Sequence, residues 1–380
     1  MAYYSIFPEK DSTIYSHPDR LTMNTGNDEI LELVKEKGSQ NNNHYPSRIL
    51  IQFKDSDIRS VITKIGNNFS SSLQLFSTEH KNLSSNHAIE ALAISQSWDE
   101  GTGRFSNLPT SSNGCSWLYR DNSINKKTWP TSSFASGTTG SVFGSTIIEQ
   151  GGGSWYNTSD FKVEQEFSNA DNLDLNLNVT NIVKKFSASL FASQTYPNGI
   201  PNNGFLIKNI NAVEVNTSSS RGTLSYFSVD THTIFPPKLT FKWDDSIHNF
   251  GLQPTTKTSG ELNVSLYRNK EEYNINEEAT FRLNVRDKYP NRTFVTSSNY
   301  LNPGYFTTAS YYSIRDAHTE EIIIPFDDEF TKLSADSDGM YFKIYMNGLQ
   351  PERYYRLLFK HINDDGIEIF DNNYHFKVVR

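Results

Sequence analysis

Apolar and polar residues alternate over short stretches along most of this chain, the period-2 pattern of half-buried strands. Ser47 to Phe53, Ser72-Leu-Gln-Leu-Phe76, Ala88 to Ile94, Gly204 to Lys208 and Leu239-Thr-Phe-Lys-Trp243 read this way in the first two thirds. Asp11-Ser-Thr-Ile-Tyr15 reads as an edge strand before a Pro18 turn, and Glu29 to Val34 is compatible with strand or helix. Helical spacing occurs twice. Ile58, Val61, Ile62 and Ile65 share one face of a segment capped by Ser56 or Asp57 and stopped by Gly66. Val179, Ile182, Val183 and Phe186 do the same in a helix starting near Asn178 or Thr180. Gly38 to His44 is too polar for either pattern and is expected to be an exposed loop.

Breaks in the pattern set the expected organisation. A loop-rich insertion from about 101 to 153 carries Trp117 and Trp129, with Trp155 just beyond. Loops of this length usually serve function, so a private contact surface is expected there. From 246 to 260 the chain is polar, with Pro254, Thr255, Thr256 and Thr258, and is expected to link a domain over 1–245 to one over 261–380. The later stretch holds about eight further strand patterns, enough for a second sandwich.

Composition supports an all-β chain. Of 380 residues, 20 are Tyr and 25 Phe, types that favour pleated, half-buried surfaces. The net charge of −8 leaves no basic surplus for a phosphate backbone, so nucleic acid is not an expected partner. A single cysteine, Cys115, excludes an internal disulfide. No stretch approaches the ~20 apolar residues of a membrane helix, so no membrane partner is expected. Met1 to Pro8 lacks a basic region followed by an apolar run, which leads to the expectation of synthesis and assembly in a host cytoplasm.

Candidate chemistry is sparse. Asp99/Glu100, Asp244/Asp245 and Asp327/Asp328 are sequence neighbours, and in strands such side chains point to opposite faces. No catalytic residue, metal ligand or cofactor site is therefore assigned, and the chain is not expected to be an enzyme. Asp336-Ser-Asp-Gly339 and Asn363-Asp-Asp-Gly366 offer oxygens for calcium, but Gly-terminated hairpin turns explain them better. Gly137 to Gly144 lacks the Lys-Ser/Thr ending of a phosphate loop. Trp117, Trp129 and Trp155 are the candidates for stacking on a glycan or meeting a partner; the competing reading places them in the core.

Seven short elements occur in a fixed order: Phe53-Lys-Asp-Ser56, Trp98-Asp-Glu100, Pro109, Val179-Thr180, Asn203-Gly-Phe205, Phe227-Ser228 and Pro237-Lys-Leu239. Together they resemble the DNRLRE-type domain over about residues 8 to 245, with Phe105 where that family usually has Trp and Asp230 where it has Glu. The resemblance implies an N-terminal jelly-roll β-sandwich. Leu349, Pro351 and Tyr355 likewise resemble the tyrosine corner of fibronectin type III domains, implying a C-terminal fibronectin/immunoglobulin-like β-sandwich. Such pairs of domains are similar to those of tailed-bacteriophage structural proteins. The implied role is a non-enzymatic virion component of tail, baseplate, neck or fibre attachment, partnered by other virion proteins and by copies of itself in a symmetric ring. The alternative is a glycan-binding adhesin module.

Overall fold

The computed structural model describes residues 2–380 except 38–43, 84–85, 108–112, 130–140, 144–145, 149–150, 157, 169–171, 192–198, 215–221, 250–254, 257–260, 268, 290–303 and 364. The described chain is all-β in character, as the alternation predicts. Its helices are few and short, Asp55–Ile65 and Thr180–Phe191 being the longest. It divides into two compact units, Ile6–Thr240 and Met1–Ser5 together with Phe241–Arg380.

In the larger unit one antiparallel sheet is built on His44–Phe53. This strand is flanked by Pro8–Tyr15 on one side and Phe205–Asn209 on the other, with Ile51 facing both Asp11 and Phe205. His87–Ala93 and then Lys162–Phe167 extend the sheet past Phe205–Asn209. At its other end Ile30–Lys37 pairs with the first residues of His44–Phe53, and Thr223–Phe227 and Ser77–Lys81 follow. A second sheet places Ser70–Leu75 between Lys238–Trp243 and Leu175–Asn178. Ile49, Leu50, Ile51, Phe53, Leu73, Leu75, Phe205 and Leu206 are essentially inaccessible to solvent; because neighbours such as Leu50 and Ile51 point to opposite faces, the central strands are buried on both sides, where the alternation marks only one as inward.

Both helices occur where the spacing predicts. Asp55–Ile65 buries Ile58, Val61 and Ile62 and ends at Gly66, but starts slightly earlier than expected, with Lys54 as N-cap and no side-chain cap. Thr180–Phe191 buries Ile182, Val183 and Phe186. The Asn178 carboxamide oxygen accepts from the Thr180 amide at 3.2 Å, a local turn that leads into the helix.

The smaller unit is a sandwich of two antiparallel-based sheets. One packs Leu262–Tyr267, Glu278–Asp287 and Gly339–Tyr345 side by side. The other runs Gly366–Val379, Arg353–Asn363, Ser310–Asp316 and Ile322–Ile324, with Glu272–Asn274 added parallel to the end of Gly366–Val379. The tyrosine corner is formed: Tyr355 is buried and its hydroxyl donates to the Gln350 carbonyl at 2.8 Å. Both oxygen-rich turns considered for calcium are hairpin ends. Asp336 pairs with Gly339 and Asn363 with Gly366, each glycine at positive φ. The Asp336 carboxylate is taken by a two-point bond from Arg282 at 2.8 Å each.

The expected boundary differs from the observed one. Residues placed in a linker over 246–260 are partly strand-paired: the Asn249 amide donates to the Ala335 carbonyl at 2.9 Å and the Ala335 amide to the Ile247 carbonyl at 2.9 Å. Thr255–Thr256 pairs parallel with Gly304–Tyr305. Polar side chains signal solvent on one face and leave backbone pairing free, so composition here does not reveal the strand edge. Residues 1 to 5, expected in the first domain, belong to the second unit, where Tyr3 joins the core and Tyr4 meets Tyr345 edge-on at 6.1 Å.

Candidate functional site

The three tryptophans expected at a contact surface are interior. Trp117 and Trp129 are each 1% exposed and Trp155 4%, packed with Leu50, Leu92, Ile94 and Leu206. The Trp129 indole nitrogen donates to the Ser116 carbonyl at 2.9 Å. A sugar ring needs an open indole face, and these faces are covered; the core reading replaces the glycan-contact reading at all three positions. The phosphate-loop look-alike, 137–144, falls mostly outside the described residues, as does much of the insertion where a contact surface was expected.

What the insertion does contribute is an inward wall. The Arg48 guanidinium lies between Trp117 and Trp155, 4.8 and 5.2 Å from their ring centres. It donates to the Gly152 carbonyl at 2.5 Å and makes a forked bond to Glu214 at 3.1 and 2.8 Å. Glu214 sits at the end of the short helix Asn211–Glu214, which follows strand Phe205–Asn209 and so is delivered to the same place as Lys208. The Lys208 ammonium lies 2.5 Å from Glu90 and 3.4 Å from Glu214, and Lys162 closes the chain 2.7 Å from Glu90. Arg48, Glu90, Lys208 and Glu214 are all less than 5% exposed by side chain. Burial works to raise the Glu214 carboxyl, but the Arg48 and Lys208 charges outweigh it and hold the group below its usual value.

Every carboxylate oxygen of Glu90 and Glu214 faces a cation. The Glu214 oxygens are poor bases, because a proton accepted there would leave a buried cation uncompensated. The network therefore acts as an ionic tie across strands His44–Phe53, His87–Ala93, Lys162–Phe167 and Phe205–Asn209. The alternation pattern misses it, since Arg48, Glu90 and Lys208 read as ordinary outward positions; the available signal is a single charge inside an otherwise aliphatic run.

A second polar cluster has the opposite electrostatics. Asp11 has no exposed surface; one carboxyl oxygen accepts from the Val229 amide at 2.7 Å, and the other has no hydrogen-bond partner among the described residues. Glu100 accepts from the Asp11 backbone amide at 3.0 Å. Desolvation pushes the Asp11 carboxyl well above its ordinary range, with Glu100 and Asp230 adding repulsion that the Val229 bond only partly offsets. Glu100 is pushed up to about 7, chiefly by burial.

The backbone around this cluster is tightly specified. Asn24 donates to the Glu100 and Cys115 carbonyls at 2.5 and 2.8 Å and accepts from the Gly103 amide at 2.7 Å. A Cβ on Gly26 would lie 2.4 Å from the Glu100 carbonyl oxygen, and Gly101 turns at φ +81°, so both positions need glycine. The expectation that Asp99 and Glu100 do not act as a pair is compatible with this geometry. Glu100 instead meets Asp11, 89 positions earlier, a pairing that sequence spacing does not display.

No protein-family model matches the chain, and no curated protein matches it. No helix among the described residues is long and apolar enough to cross a membrane.

Proposed function

We propose that this chain is a non-enzymatic structural component of a tailed-phage particle, acting through protein–protein interfaces at the tail, baseplate, neck or fibre attachment. The observation that carries the reading is the open side of the smaller unit. Strand Gly366–Val379 is fourteen residues long; besides its pairing with Arg353–Asn363 it is held at Asn372 by the Val264 carbonyl, at His375 by the Asn269 carboxamide and at Lys377–Val379 by Glu272–Asn274, which leaves its first residues as an edge. Ile367 and Ile369 on that strand are 65% and 58% exposed, and Ile322 in the same sheet is 51% exposed. An unpaired edge bearing branched apolar side chains is suited to receiving another chain.

The ordered resemblance to DNRLRE-type domains and the tyrosine corner support the same assignment. Its mechanism is association by rigid sandwich modules, with stable attachment requiring interfaces above about 1,000 Å². Nothing in the positions of Trp117, Trp129 and Trp155 favours the glycan-binding alternative, as their ring faces are buried.

The test is immunogold electron microscopy of particles from a lysate of the source, with antibody against this chain. Label confined to a tail or baseplate is the expected result. Protein found free or on cell envelopes, with particles unlabelled, overturns the proposal.

A further inference from the structure

We propose that Asp11 and Glu100 form a proton-dependent clamp that holds the 97–105 loop against strand Pro8–Tyr15 and the Val229–Asp230 turn, and that loss of the bound protons loosens it. The geometry is of a carboxyl with no solvent access, one donor and one empty oxygen, beside a second carboxyl resting on the first residue's backbone amide. A buried carboxylate with so few donors is costly, and the neutral acid costs less.

The surrounding charges do not correct the imbalance. From the loop, Asp99 adds repulsion on Glu100, and from the turn Asp230 adds repulsion on both carboxyls. The cation facing Glu100 is Lys10, whose ammonium is also committed to the Trp98 carbonyl at 2.5 Å and lies 4.4 Å over the Trp98 ring, with Glu9 and Asp99 acting on it as well. Arg104 and His232 act on Asp230, opposed by Glu29, and the Arg104 charge also reaches Asp28, which bonds the Phe105 amide at 2.9 Å. The buried Cys115 thiol is pushed up to about 12 and stays neutral.

The sign follows from which state binds the proton more tightly. Glu100 ionises near 4.5 in an open chain and near 7 in the fold, so the folded cluster is favoured in acid and loses that advantage as pH rises through neutrality. Once ionised, Glu100, the less buried of the two carboxyls, is the one able to turn toward water. Its departure leaves the Asp11 amide without an acceptor. Asn24 still holds the loop backbone, so the change is a local loosening and the sandwich stays folded.

Hydrogen exchange of the full chain, read by mass spectrometry at pH 5.5 and 8.5 and corrected for the intrinsic rate, tests this. Peptides covering 8–15, 97–105 and 226–231 are expected to lose about tenfold or more in protection at the higher pH, because the closed cluster holds the Glu100 proton more tightly than the open one and that preference is gone once Glu100 is ionised. Strand Phe205–Asn209 serves as the unchanged control. Glu100→Gln, neutral at every pH, is expected to remove the dependence. Asp230→Asn, which removes a repulsion that favours the protonated form of both carboxyls, is the second variant should the first fold poorly, and is expected to weaken the dependence. Flat protection in the native chain, or an unaltered pH dependence in whichever variant folds, overturns the proposal.

Discussion

At the scale of single residues, the two buried polar clusters show that burial alone does not decide the state of a carboxyl. Glu214 is enclosed as completely as Asp11, but two cations reach it and its ionised form is favoured. Its folded-state value lies below the unfolded one of about 4.5, so its contribution is complete above that pH and is lost as the solution is acidified further. Glu100 contributes in the reverse direction, losing its stabilising effect on the alkaline side. Replacing Glu214 by Ala leaves Arg48 and Lys208 short of a counter-charge in the interior, and is expected to cost about 3–5 kcal/mol in urea unfolding of the larger unit. A loss under about 1 kcal/mol would show that water or other groups already compensate those cations. For Tyr355→Phe the expected cost is smaller, about 1 kcal/mol, since one neutral hydrogen bond to Gln350 is removed and the ring stays packed.

At the scale of elements, periodic segments were legible and pairings between distant segments were not. Ile182, Val183 and Phe186 announce a helix face because a 3.6-residue period has no other common cause. That face meets the sheet through Phe186, whose ring is 5.5 Å from Phe205, itself 6.2 Å from Phe53. Phe186→Ala is therefore expected to cost about 3–5 kcal/mol in denaturant titration, a cavity value that a loosely docked helix would not reach. The tyrosine corner was legible too, because Leu349, Pro351 and Tyr355 lie close together in the chain. By contrast, the Arg48–Glu214 fork spans 166 positions and the Asp11–Glu100 contact 89. No local rule connects residues so far apart, and each looks like a solvent-facing charge within its own segment. The tryptophans misled for a related reason: a Gly- and Ser-rich insertion suggests an outer loop, while its ends, at Trp117 and Gly152, fold back over Arg48.

At the scale of the whole chain, sequence order and structural membership part company. A contiguous reading assigns residues 1–245 to one domain, yet the first five residues complete the unit made by Phe241–Arg380. The reason is aromatic: Tyr3 is 6% exposed within a core that includes Phe281, Phe342 and Phe376, and Tyr4 and Trp243 both approach Tyr345. The larger unit is thus inserted in sequence between two pieces of the smaller one, whose core includes Tyr3 from the first piece. Since each unit has its own core, lesions in the two are expected to separate in calorimetry. Tyr3→Ala removes a buried ring and is expected to lower the stability of the 241–380 unit by about 3 kcal/mol or more, although the altered residue lies at the other end of the chain. Leu206→Ala, in the core of the larger unit, is expected to cost about 2–5 kcal/mol in the other transition. If Tyr3→Ala instead moved the transition that Leu206→Ala moves, residues 1–5 would act energetically with the strand that follows them, and the insertion arrangement would not describe how the protein unfolds.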